Sequence, residues 1–153
     1  MNVRTLPKPK RVGTNAKRAG SFGSKPPSAK RRLVLALDAI CSEITALSWG
    51  GRCALCGMAG VHPHHFFGKK AFPSLRWVPD NLIWLCFYDH AETVHTKGET
   101  GPLREILMDK IGIDRLKALE AMACHTEKRY LYDLNELKKE LSMRLETMRQ
   151  LRS

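Results

Sequence analysis

The sequence predicts an α+β fold: a short strand–loop–strand–helix unit rich in metal ligands, one helix ahead of it, several behind it, and a basic arm at the N-terminus. Three observations lead there. Apolar residues recur at helical spacing over 31–48 and again from 101 onward. Between those stretches the helical period gives way to two short apolar runs, "VHPHHFFG" (61–68) and "NLIWLC" (81–86), separated by a loop with two prolines. Finally, every cysteine and histidine except Cys41, Cys124 and His125 falls between positions 53 and 95.

The first 32 of the 153 residues hold ten Lys or Arg (Arg4, Lys8, Lys10, Arg11, Lys17, Arg18, Lys25, Lys30, Arg31, Arg32) and no acid, so nearly all of the net charge of +11 lies there. Seven Pro or Gly residues and almost no apolar content accompany it. Such a segment cannot bury enough surface to offset its chain entropy, so residues 1–30 read as a disordered arm. It is either a solubilising tail or a tether for a polyanion, acting by counterion release and steering. The arm has no apolar stretch behind its charges and is not a secretory signal. No apolar run approaches the ~20 residues that span a bilayer, so no membrane partner is expected. The expected location is the cytoplasm.

"RRLVLALDAICSEITALSW" carries Leu33, Leu35, Leu37, Ile40, Ile44 and Leu47 at helical spacing, predicting a helix over 31–48 that stops at Gly50-Gly51, with Cys41 in the core. "RCALCGMAG" (52–60) reads as a knuckle. The runs at 61–68 and 81–86 read as strands, with Trp77 and Trp84 as core residues rather than stacking platforms. "YDHAETVHTKG" (88–98) reads as a helix ended by Gly98. Two further helices are expected at 101–112 and 114–123, the second capped by Asp114. A long helix should run from about 126 to 151 along the seam Tyr130, Leu134, Leu137, Leu141, Leu145, Met148 and Leu151. These elements divide into a domain at 31–124 and a C-terminal helix at 125–153. That helix either packs on the domain or pairs with a copy of itself to give a homodimer.

Five cysteines form an odd set and do not suggest a disulfide framework. Cys53-x-x-Cys56 is a redox pair or half a metal site, and no βαβ pattern supports the redox reading. With Cys86-x-x-Asp89 it completes a four-donor set that suits a structural zinc, the fourth ligand being Asp89 or a residue elsewhere. Such an ion would supply folding energy that a small core lacks.

A second set interleaves with the first: His64, His65, Asn81, His90 and His95. Adjacent residues on a strand point to opposite faces, so His64 and His65 can do different work. The stretch "CALCGMAGVHPHHFFGKKAFPSLRWVPDNLIWLCFYDHAETVH", 53–95, resembles the ββα-metal, or HNH, endonucleases, including phage HNH proteins such as the lambdoid NinG recombination nucleases. That resemblance covers about a third of the chain. It implies a DNA endonuclease, phage-encoded and acting in a bacterial host cell, that leaves 5′-phosphate and 3′-hydroxyl ends. It further implies branched or recombination-intermediate DNA as substrate and leaves room for a recombination protein as partner. By resemblance His65 is the general base, and Asn81 fixes it across the loop. His64, His90 and His95 would hold a catalytic divalent cation, Mg²⁺ or Mn²⁺. One spacing departs from the common pattern. His90 and His95 are five residues apart, about 140° on a regular α-helix against about 40° for four. Either the helix bends or widens, or only one of the pair binds.

Lys69, Lys70 and Arg76 lie in the loop between the strands. They suit phosphate contacts, Arg76 as a bidentate clamp, unless they merely solvate the loop. His62 reads as an exposed bystander, and His125 as a helix-end residue interacting with the dipole. Nothing resembles a base-reading recognition helix, so weak sequence specificity is expected. The rival reading is a non-catalytic zinc module that binds nucleic acid through its arm; it leaves the paired histidines and the intervening Asn without a role.

Overall fold

The computed structural model describes residues 26–98, 100–124 and 131–152. Most of the basic arm, His125 and the expected start of the last helix lie outside the described residues. Among the described residues no helix is long and apolar enough to cross a membrane.

The fold is helix-rich with one small antiparallel sheet, in the α+β class. Helix α1 spans Ala29–Ser48. The side chain of Ser28 accepts a hydrogen bond from the backbone N–H of Arg31 and so starts it. Gly50 and Gly51 end it, both at positive φ, where a side chain would be strained. Strands β1 (His62–His65) and β2 (Leu82–Leu85) pair with His62 opposite Leu85 and His65 opposite Leu82. Both are shorter than the apolar runs: after His65 the chain turns into the loop that Asn81 pins. That loop holds two short 3₁₀ turns, Pro73–Leu75 and Pro79–Asn81, each opened by a proline at its first position.

A π-helix, Asp89–Thr96, follows β2. Next come α2 (Gly101–Ile111) and α3 (Ile113–Ala123), split by Gly112 at φ 83°. Gly112 takes the capping position expected of Asp114, which stands instead in the first turn of α3, where its charge favours the helix dipole. Helix α4 spans Leu131–Gln150.

Two apolar cores result. Leu33, Leu37, Cys41 and Ile44 of α1 pack with Leu134, Leu141 and Leu145 of α4, and Trp77 and Leu82 reach in from the hairpin unit. The seam on α4 is therefore spent inside the chain, and Arg149 adds an ion pair to Glu43 of α1. This packing joins the C-terminal helix to the rest in a shared core. The second core gathers Cys53, Leu75, Ile83, Leu85, Val94, Leu103, Leu107, Leu116 and Leu119 beneath the hairpin. The knuckle is tied to the sheet by the Ala54 N–H donating to the Trp84 carbonyl, 2.8 Å, and by the Trp84 indole lying over Gly60. A Cβ at Gly60 would come within 2.2 Å of that ring, so only glycine lets the knuckle close.

Candidate metal centres

The knuckle and the start of the π-helix bring Cys53, Cys56, Cys86 and Asp89 together, all four donor atoms within 4.8 Å of one another. Four donors around one tetrahedral zinc with bonds of about 2.3 Å lie about 3.8 Å apart, and the Cys56 and Cys86 sulfurs are 3.7 Å apart. The Asp89 carboxylate accepts from the Cys53 and Cys86 thiols at 3.0 and 3.3 Å. This Cys₃Asp cluster could hold a structural metal such as zinc, and Asp89 occupies the fourth corner. In the metal-free chain, hydrogen bonding to Asp89 pushes the Cys56 thiol up to about 12. The same contact, led by Cys56, holds the Asp89 carboxyl below its ordinary range. A bound ion reverses that order by taking thiolates, so uptake releases protons.

The second cluster uses one strand and one helical turn. His64 points from β1 toward the π-helix, where its ring centroid lies 5.6 Å from that of His90 and 5.4 Å from that of His95. The His90 and His95 rings are 4.7 Å apart. The five-residue gap is accommodated because the helix widens. The Lys97 N–H donates to the Glu92 carbonyl, and the Thr96 hydroxyl to the Ala91 carbonyl, each five residues back. Such i→i+5 bonding stacks residues five apart on one face. One ligating nitrogen from each of His64, His90 and His95 lies within 4.8 Å of the others. Burial, reinforced by the neighbouring His90 and His95, lowers the His64 imidazole to about 4. Burial also lowers His90, with His95 adding to the effect. Both are neutral at pH 7, the form that ligates a cation.

His65 faces another partner. Its Nε2 lies 3.0 Å from the Arg76 carbonyl oxygen. A carbonyl only accepts, so Nε2 carries the proton and Nδ1 keeps its lone pair. Burial lowers the His65 imidazole, partly offset by that hydrogen bond. His65 and the three clustered histidines line one cavity of about 550 Å³, with Lys69 and Lys70 on its rim.

Asn81 is fully buried and does not line the cavity. Its amide nitrogen donates to the carbonyls of Phe67 and Leu75, both at 3.0 Å, and its oxygen accepts from the Phe67 N–H at 2.7 Å. It thus joins the end of β1 to the turn that presents the Arg76 carbonyl, and it acts by positioning. Arg76 departs from expectation. Its guanidinium grips Asp38 of α1 through two hydrogen bonds, 3.0 and 2.7 Å, instead of standing free as a phosphate clamp. The Trp77 indole N–H also donates to Asp38, at 2.7 Å. Burial would raise the Asp38 carboxyl, but the Arg76 and Trp77 bonds outweigh it and hold it low. His62 is also corrected: it is half-buried, lines the cavity and stands 5.3 Å from the His90 ring.

Sequence reasoning did not single out Asp38. Its signal was a lone acid in the apolar run "LVLALDAIC", three residues before Cys41, which lines the same cavity. No family model, curated protein or solved structure matches the chain.

Proposed function

We propose that this chain is a metal-dependent endonuclease of the ββα-metal (HNH) kind that hydrolyses phosphodiester bonds in DNA, with the Cys₃Asp cluster as its structural zinc site. One observation carries the reading: three imidazoles converge in the same cavity as a fourth, His65, whose Nε2 is held by a carbonyl and whose Nδ1 keeps a lone pair to take a proton. Three histidines leave coordination positions open, which a catalytic site needs and a structural site does not. A divalent cation held there would polarise the phosphate and stabilise the leaving 3′ oxygen.

The chain's own groups supply the rest. His65 Nδ1 accepts a proton from the attacking water, and its lowered basicity keeps it unprotonated at neutral pH. Asn81 and the Arg76 carbonyl hold the ring in place. Lys69 and Lys70, with the basic arm, hold the phosphates. The product ends, the phage origin and the preference for branched DNA belong to this proposal through the motif resemblance alone.

Plasmid nicking with Mg²⁺ or Mn²⁺ tests it. The His65→Ala protein should bind DNA as the wild type does and cut about 10²–10⁴-fold more slowly, the usual contribution of a positioned base. Equal cutting by both proteins contradicts the role of His65. Tight binding without cutting by either favours the zinc module that only holds nucleic acid.

A further inference from the structure

Beside His62, which lines the cavity, lies exposed aromatic surface that the hydrolytic reading does not use. Phe87 and Tyr88 are the two residues between Cys86 and Asp89, and they are 70% and 59% exposed. Their backbone is anchored on both sides by the Cys₃Asp cluster, so the rings stand on a fixed support. Phe87 does not stand apart from the candidate site. Its ring lies 6.2 Å from His62, tilted by 55°, and His62 lies 5.3 Å from His90. A continuous run of rings therefore leads from solvent to the clustered histidines. Basic Lys69 and Lys70 line the same cavity.

We propose that Phe87, with His62 beside it, is a stacking platform for an unpaired nucleobase next to the phosphate held in the cavity. This rests on the reading of the chain as a nuclease. The occupant follows from charge and from shape. The cationic rim attracts a polyanion, and the platform continues the surface on which its phosphate would lie. In a duplex each base already stacks on its neighbours and offers only its edge. An unpaired base has a free face, and stacking on an aromatic ring then contributes without reading sequence. The substrate class is DNA with unpaired nucleotides flanking the cut, as at a branch, flap or single strand.

The test uses the full chain loaded with zinc and without added Mg²⁺ or Mn²⁺, so that binding is read without cutting. The probes are a single-stranded oligonucleotide carrying 2-aminopurine and a hairpin duplex of the same sequence. Phe87→Leu keeps the apolar bulk and removes the ring; Phe87→Trp keeps a ring. Phe87→Leu should weaken single-strand binding about tenfold and relieve quenching of the probe base, with under about twofold change on the duplex. Phe87→Trp should retain single-strand binding. Because the side chain is mostly exposed, the melting temperature of both variants should match the wild type. Equal losses on both DNAs, or none on either, overturn the platform, and the second result would leave the patch to a protein partner. The readout is independent of hydrolysis. An inactive enzyme with the tenfold effect keeps the platform and loses the nuclease, whereas an active enzyme without it does the reverse.

Discussion

Asp89 and His90 are neighbours in the chain, but they belong to different clusters, and those clusters differ in closure and donor chemistry. The Cys₃Asp set has four donors, two of them soft thiols on a knuckle pinned to the sheet, and it closes around whatever it holds. The His₃ set has three imidazoles and opens into a cavity lined also by Lys69 and Lys70. Four closed donors lend stability. Under the proposed function, three open ones leave room for a phosphate and a water. A single turn after β2 serves both, contributing Asp89 to one and His90 to the other, so the geometry of the second depends on the integrity of the first.

The largest effect should come from breaking the closed cluster. Cys53→Ser removes a buried donor at the junction of knuckle and sheet. Structural zinc provides roughly 10 kcal/mol or more of folding energy in small zinc domains. The variant should therefore lose zinc, and its hairpin core should lose its cooperative melt, while the α1–α4 pair retains helical signal. Metal analysis beside near- and far-UV circular dichroism checks this. An unchanged melt would show that the cluster is not structural.

A smaller effect separates the clusters by pH. The folded His64 imidazole titrates near 4, whereas an unfolded histidine titrates near 6.5. In that case the unfolded chain takes up the proton first. Stability is complete above pH 6.5 and is lost as the pH falls from there through about 4, by on the order of 3 kcal/mol for this group. Urea melts across that window, with zinc present and no second divalent ion, should show the loss. His64→Gln should remove the share of His64, leaving the smaller slope from His65 and His90. An identical pH dependence in wild type and variant would mean that His64 is not the titrating group.

The sequence made the local chemistry legible because its spacings are short-range. The two C-x-x knuckles, the His64-His65 pair and Asn81 could be read from the chain, since each acts within a hairpin or a turn. The seam of α4 was equally clear, but its partner was not: an amphipathic face does not say whether a helix of the same chain or a copy will cover it. Within one chain, α1 packs on that face. The role of Asp38 was hidden because it acts across 38 residues, gripping the Arg76 guanidinium of the loop between the strands. The five-residue histidine gap could be read two ways, and the i→i+5 hydrogen bonds of the π-helix resolve it. His62, set aside as exposed, proved to be half-buried through its proximity to the π-helix, a contact that depends on the sheet register.

The division of labour between the clusters is tested most directly by His90→Ala, measured for zinc content, melting temperature and Mn²⁺-dependent plasmid nicking on the same preparation. The account predicts about one zinc per chain, a melt within a few degrees of wild type and nicking reduced at least a hundredfold. Undiminished nicking, or loss of zinc together with the fold, would contradict it.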